Sequence, residues 1–167
     1  MKKNIILTGF MGTGKSTIGR LLAQQLDYEF IDTDSEIEKR EWTTIKDIFQ
    51  EQGEAAFRRM EADLVHELAR EEGLVIATGG GLVMNPDNVK MLQKSGRIIC
   101  LTADVDTILA RVATQPGTRP LLKEKDPRGK VLELLELRGP VYSSFEQVAT
   151  TGKSQETVLT QILQLLN

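Results

Sequence analysis

A chain of 167 residues, 40% hydrophobic and 27% charged, carries enough apolar material for one domain with a sizeable core. Its formal net charge of -3 leaves no basic surplus to hold nucleic acid or an anionic membrane. The one cysteine, Cys100, allows no internal disulfide and no zinc site, and reads as packing within the apolar run of residues 97–101. No apolar run approaches membrane-spanning length, and the first residues lead almost directly into an apolar strand. No signal peptide is therefore expected, and a cytoplasmic setting is the default.

Residues 3–8, Lys-Asn-Ile-Ile-Leu-Thr, form the short apolar run that a buried parallel strand needs. Next comes Gly9-Phe10-Met11-Gly12-Thr13-Gly14-Lys15-Ser16-Thr17, which fits G-x-x-x-x-G-K-[ST] at every fixed position. Glycines let backbone N–H groups close around phosphate oxygens, Lys15 brings a point charge to the β- and γ-phosphates, and the Ser16 hydroxyl is placed to ligate Mg²⁺. Ile18, Leu21, Leu22 and Leu26 then carry helical spacing, so a helix N-terminus points at the same phosphates. Strand, glycine loop and helix in that order read as a nucleotide-phosphate site.

A second strand over residues 29–31 ends at Asp32-Thr33-Asp34. If the backbone stays extended, the two carboxylates project to one side, just beyond the carboxyl end of a strand. One is suited to holding Mg²⁺ and the other to accepting a proton; alternatively, Asp34 or Ser35 simply caps the next helix. Thr44 and Asp47 have capping-box-like spacing for a helix running to Gly53, and Trp42 just before it is expected to be partly buried. A longer helix from Gly53 to about Glu72 puts Phe57, Met60, Leu64 and Leu68 on one side. Arg58 and Glu61 are three apart on it. They form either a solvated surface pair, or an arginine steadied by Glu61 and offered to a substrate carboxylate.

Residues 73–77 read as an interior strand ending in Thr78-Gly79-Gly80-Gly81, and three consecutive glycines there mark a ligand approaching the main chain. No Asp follows this strand, so the metal role falls to Asp32. A helix from Pro86 through Gln93, a strand over residues 97–101 and a helix from Asp104 to about Ala113 follow. Residues 114–127 hold three prolines and a glycine, which cannot continue a helix, and read as a mobile lid loop. Within it Arg119, fixed toward extended geometry by Pro120, is suited to neutralising charge on transferring phosphate, or is an exposed loop arginine. Helix returns over residues 129–138, with Arg138 at its end before Gly139-Pro140, and Tyr142 and Phe145 are expected core anchors. A fifth strand over residues 146–150 and a terminal amphipathic helix over residues 155–166 complete the chain. The fold class is α/β, three layers, with about five parallel strands and helices on both faces, as one domain over residues 1–167.

These motifs, in this order and over nearly the whole chain, resemble the shikimate kinases, P-loop small-molecule kinases. They are the phosphate loop at residues 9–17, Phe30-Ile31-Asp32-Thr33-Asp34, Gly53-Glu54-Ala55-Ala56-Phe57-Arg58 with Glu61, Ile76-Ala77-Thr78-Gly79-Gly80-Gly81, Arg119-Pro120-Leu121-Leu122, and Arg138 with Tyr142. The resemblance implies transfer of the ATP γ-phosphoryl group to the 3-hydroxyl of shikimate, a step in chorismate and aromatic amino acid biosynthesis. It makes Gly12, Thr13, Gly14, Lys15, Ser16 and Thr17 the phosphate cradle, with Ser16 and Asp32 on Mg²⁺. Asp34 becomes the candidate base, acting with Lys15 and Arg119 as the catalytic set. The substrate region is about residues 32–61, and Arg58, Gly79, Gly80, Gly81 and Arg138 hold the substrate, with Phe49 and Phe57 as apolar wall. Arg119 also contacts ATP, and Arg111 and Gln155 are assigned to its adenine side. Small-molecule partners and a monomer are expected. The alternatives are another small-molecule kinase of the gluconate type, which has no reason to combine Asp34, Arg58 and Arg138, and a non-catalytic ATP-binding module.

Overall fold

The computed structural model describes residues 2–114 and 124–167. Five strands, β1 (Asn4–Thr8), β2 (Glu29–Asp32), β3 (Leu74–Ala77), β4 (Gly96–Thr102) and β5 (Glu146–Ala149), form one sheet in the order β2-β3-β1-β4-β5. Every pairing is parallel. Parallel strands need crossovers, and these bring helices onto both faces. The helices are α1 (Lys15–Leu26), α2 (Thr33–Glu41), α3 (Ile45–Gln52), α4 (Glu54–Leu68), α5 (Pro86–Ser95), α6 (Val105–Ala113), α7 (Pro127–Tyr142) and α8 (Gln155–Leu166). None among the described residues is long and apolar enough to cross a membrane.

The alternation of side chains along β1 shows how the two faces are filled. Ile5 and Leu7 pack with Ile18 and Leu22 of α1 and Val158 and Ile162 of α8. Ile6 points the other way, into a larger core with Leu64 and Leu68 of α4, Leu92 of α5, Ile108 of α6 and Val131 of α7. Both faces are covered, so all five β1 residues are buried. Cys100 belongs to the larger core, where burial pushes its thiol up to about 11.

Register decides where the chemistry sits. Leu7 of β1 and Asp32 of β2 both pair with Ala77 of β3. The glycine-rich loop, the Asp-Thr-Asp segment and the triple glycine therefore leave the sheet at one level, at the carboxyl edge where α/β sheets bind ligands.

Four local expectations change. Asp32, not Asp34 or Ser35, caps α2, accepting from the Ser35 amide, so the backbone turns helical at Thr33 and the two carboxylates do not share an extended segment. Trp42 is 94% exposed. It ends α2 in the left-handed region at φ 55°, and this reversal leaves the indole outside the packing. α4 ends at Leu68, short of Glu72. α7 runs past Gly139 and Pro140 to Tyr142, because a proline in the last turn removes one N–H while the Ser143 amide still reaches the Gly139 carbonyl. Residues 115–123, most of the expected lid and Arg119 with it, lie outside the described residues.

At the opposite edge of the sheet, fully buried Asn4 is a fastener. Its Nδ2 donates to the carbonyls of Leu68 (3.3 Å) and Glu71 (2.8 Å), and its Oδ1 accepts from the Leu74 amide at 2.9 Å. Asn4→Leu strands buried backbone groups and is expected to lower the unfolding free energy by about 2–4 kcal/mol. Urea titration measures this; a loss below about 1 kcal/mol contradicts it.

Candidate active site

The phosphate loop connects β1 to α1, and Gly9, Gly12 and Gly14 hold φ of 133°, 75° and 94°. L-residues rarely adopt such values, so this curvature needs glycine. Lys15 folds over its own loop, donating to the Gly9 carbonyl at 2.8 Å and the Phe10 carbonyl at 2.9 Å. Thr13 closes the turn from inside through a 2.7 Å bond to the Phe10 carbonyl. Ser16 Oγ donates to Asp32 Oδ2 at 2.6 Å, which joins the loop to the end of β2.

The triple glycine after β3 is needed for a different reason, that of close approach. A Cβ on Gly79 would lie 2.5 Å from Asp34 Oδ1, one on Gly80 2.7 Å from Arg138 Nη1, and one on Gly81 2.6 Å from Arg58 Nη2. Each glycine lies flush against one of the three charged groups that the sequence nominates for the substrate. Asp34 comes from the first turn of α2, Arg58 from α4 and Arg138 from α7. The Arg138 guanidinium also sits 5.7 Å over the Phe10 ring. Phe49 and Phe57 pack with ring centroids 5.1 Å apart, and the Arg58 guanidinium lies 5.3 Å from the Phe57 ring.

Charge is arranged tightly here. Burial, with the negative charge of Asp32 beside it, pushes the Asp34 carboxyl up to about 6, while Lys15 and Arg58 pull it down. Arg58 Nη1 donates to Glu61 Oε2 at 2.7 Å, and Nη2 to exposed Glu54 at 3.2 Å. Glu61 is 1% exposed, so the pair is an anchored arginine and not a solvated surface pair. Burial holds the Glu61 carboxyl up at about 7 even against its arginine. The buried side-chain polar atoms without a hydrogen-bond partner among the described residues are Thr8 Oγ1, Thr78 Oγ1, Asp34 Oδ1 and Glu61 Oε1. The two threonines are the residues that lead into the phosphate loop and the triple glycine, and the two acids flank Arg58. Buried polar atoms are normally satisfied, so this clustering marks where a polar ligand belongs.

Beside the phosphate loop a cavity of about 320 Å³ is lined by Gly12, Thr13, Gly14, Thr17, Arg111, Thr150 and Gln155. Arg111 and Gln155 thus fall on one cavity. Arg111 also spans loops, donating to the Gly12 carbonyl at 3.0 Å and to Thr150 Oγ1 at 2.9 Å. The fork is engaged edge-on with protein acceptors, a strap that spacing did not reveal. Tyr142 is buried as expected of a core anchor, but sequence reasoning assigned no role to its hydroxyl or to that of Thr33; these hold the Gly80 carbonyl (2.7 Å) and the Gly79 amide (3.0 Å). The available signals were a hydroxyl residue set between two acids, and a tyrosine one helical turn after Arg138.

Known proteins match this chain over nearly its whole length. The shikimate kinase family model matches residues 11–167. A shikimate kinase from Pelotomaculum thermopropionicum is 50% identical over 150 residues, covering 90% of this chain and 87% of its own. The structure of the Acinetobacter baumannii shikimate kinase in complex with shikimate superposes with a TM-score of 0.91 at 37% identity, covering 99% of this chain and 93% of that one. A gluconokinase from Sinorhizobium meliloti, at a TM-score of 0.57 and 19% identity over 98% of this chain and 95% of its own, is alike in fold alone. With the family model matched over residues 11–167 and relatives of this identity and coverage, the chain belongs to the shikimate kinase family, a family of ATP-dependent kinases.

Proposed function

We propose that the shikimate kinase reaction, γ-phosphoryl transfer from ATP to the 3-hydroxyl of shikimate to give shikimate 3-phosphate and ADP, is divided here between two halves of one sheet edge. The observation that carries this reading is the packing of Gly79, Gly80 and Gly81 against Asp34, Arg138 and Arg58. Two guanidiniums and a carboxylate around a bare backbone suit a ring bearing a carboxylate and neighbouring hydroxyls. The planar forks of Arg58 and Arg138 take the carboxylate. Asp34, whose Oδ1 is buried without a hydrogen-bond partner among the described residues, accepts hydrogen bonds from the hydroxyls and takes the proton of the attacking one. Phe49 and Phe57 form the apolar wall.

On the other half, Gly12 to Thr17 surround the phosphates and Lys15 moves from its carbonyl partners to the β- and γ-phosphate oxygens. Arg111 and Gln155 border the cavity beside the phosphate loop, which this reading gives to the adenine. Arg119 is assigned to the phosphates on the family pattern. The donor set near the phosphates fits Mg²⁺: Ser16 Oγ and Asp32 Oδ2 are hard oxygen donors already 2.6 Å apart, and no cluster of three acidic, histidine or cysteine side chains among the described residues suits another metal. Mg²⁺ held by Ser16 and Asp32 would supply charge neutralisation at the ATP phosphates. Catalysis is then positioning and electrostatics, with little covalent work for the protein. The same reading makes the protein a cytoplasmic monomer with small-molecule partners, in keeping with its net charge of -3.

Release of ADP from ATP and Mg²⁺ is expected to be strong only with shikimate present. Release indifferent to shikimate would point to another acceptor. Lys15→Ala is expected to lower kcat by about 10²–10³-fold, and near-normal turnover would remove Lys15 from the mechanism. Arg58→Ala is expected to raise the shikimate KM by about 10–100-fold with the ATP KM little changed, since a charge-assisted bond is lost. Equal effects on both substrates would return Arg58 to a structural role.

Glu61 gives a pH prediction. Its carboxyl rises from the ordinary 4.5 to about 7 on folding, chiefly through burial. The folded chain keeps a proton there that the unfolded chain has released. This contribution to stability is full below pH 4.5 and falls as pH rises to about 7. Glu61→Gln should flatten that part of the profile of unfolding free energy against pH; an unchanged slope contradicts the assignment.

A further inference from the structure

The triple glycine has no side chains with which to hold its own shape, and glycine is the residue with the most backbone freedom to lose. Something else must fix it against Asp34, Arg138 and Arg58. The Leu82 and Met84 amides hold the Gly79 and Gly81 carbonyls at 3.1 Å, and two side-chain hydroxyls hold the Gly79 amide and the Gly80 carbonyl. Thr33 Oγ1 accepts from the Gly79 amide at 3.0 Å, and Tyr142 Oη donates to the Gly80 carbonyl at 2.7 Å. Thr33 is fully buried and Tyr142 is 5% exposed.

The placement of the two anchors relates each to one charged group. Thr33 is the chain neighbour of Asp34 and lies with it in the first turn of α2. Tyr142 follows Arg138 by four residues on α7, one helical turn, and its hydroxyl would lie 3.3 Å from a Cβ on Gly80, the glycine that Arg138 also abuts. We infer that Thr33 and Tyr142 are positioning residues for the acceptor substrate: by gripping the Gly79–Gly80 backbone from two elements, they set the spacing between Asp34 and Arg138. Neither hydroxyl need touch the substrate. The Leu82 amide holds the Gly79 carbonyl at 3.1 Å, while the two hydroxyls hold the flanking Gly79 amide and Gly80 carbonyl; the segment so pinned serves as a spacer between α2 and α7, and loss of either hydroxyl lets that end of it shift. The inference rests on the proposal that Asp34 and Arg138 hold the substrate.

The test is steady-state kinetics on the full chain with both substrates varied, alongside thermal melting. Thr33→Val and Tyr142→Phe keep the shape and remove one hydrogen bond each. Each is expected to raise the shikimate KM about tenfold, with the ATP KM within about twofold. Thr33→Ser restores the hydroxyl and should return the shikimate KM to within about twofold of the parent. Asn4→Leu, destabilised at the far edge of the sheet, should lower the melting temperature without changing the ratio of the two KM values. Arg138→Ala separates this inference from the reading beneath it. A raised shikimate KM in Arg138→Ala with none in either anchor variant overturns the anchors alone. An unchanged shikimate KM in Arg138→Ala overturns the site reading and the anchors together. Anchor variants that melt earlier but keep the ratio, as Asn4→Leu does, also overturn the inference.

Discussion

The site depends on how closely bare backbone can approach charge. At Gly79, Gly80 and Gly81 the main chain comes within the radius of one missing Cβ of Asp34, Arg138 and Arg58. None of the three contacts demands a left-handed backbone; Gly81, for example, has a φ of -93°. The constraint is space, and it applies where three separate elements, α2, α4 and α7, deliver charged groups to one edge of a parallel sheet. The register that pairs both Leu7 and Asp32 with Ala77 brings the phosphate loop to that same edge.

Electrostatics follow from that geometry. A chain of net charge -3 must collect cations locally to hold anionic ligands. Lys15, Arg58 and Arg138 are collected there among the described residues, and buried acids keep them in order. Glu61 fixes Arg58, while Asp34 keeps one buried oxygen without a hydrogen-bond partner among the described residues. The cost is visible in the carboxyls, which burial lifts to about 6 in Asp34 and about 7 in Glu61. A core built for stability alone would not leave buried oxygens without partners; under the proposed reading a bound ligand supplies them.

Much of this was legible in the sequence because its signals are local. The phosphate loop needs particular residues at fixed spacing, and buried parallel strands are short apolar runs. The five strands and α8 accordingly lie where periodicity put them. What escaped depends on tertiary context. Arg58 and Glu61 have the same spacing whether the acid faces water or the core, and only folding showed Glu61 to be buried. The sequence left Asp32 and Asp34 either as an extended pair or with Asp34 or Ser35 as a helix cap; the cap is Asp32, and the chain turns helical one residue later. Trp42 was expected to pack because it is large and apolar, and a left-handed turn put it outside. Pro140 marked a helix end by propensity, yet the last turn of α7 tolerates it. Thr33 and Tyr142 bond to glycines 46 and 62 residues away, a distance at which no periodic pattern forms.

The most direct measurement is calorimetric titration of shikimate and of ATP into Gly79→Ala and Gly80→Ala chains that retain the parent circular dichroism spectrum. A methyl group at either position would occupy the space of Asp34 Oδ1 or Arg138 Nη1. The account predicts that shikimate binding is lost or weakened at least about tenfold, while ATP binding stays as in the parent. Shikimate binding of parental strength in both variants would contradict the claim that close backbone approach organises the site.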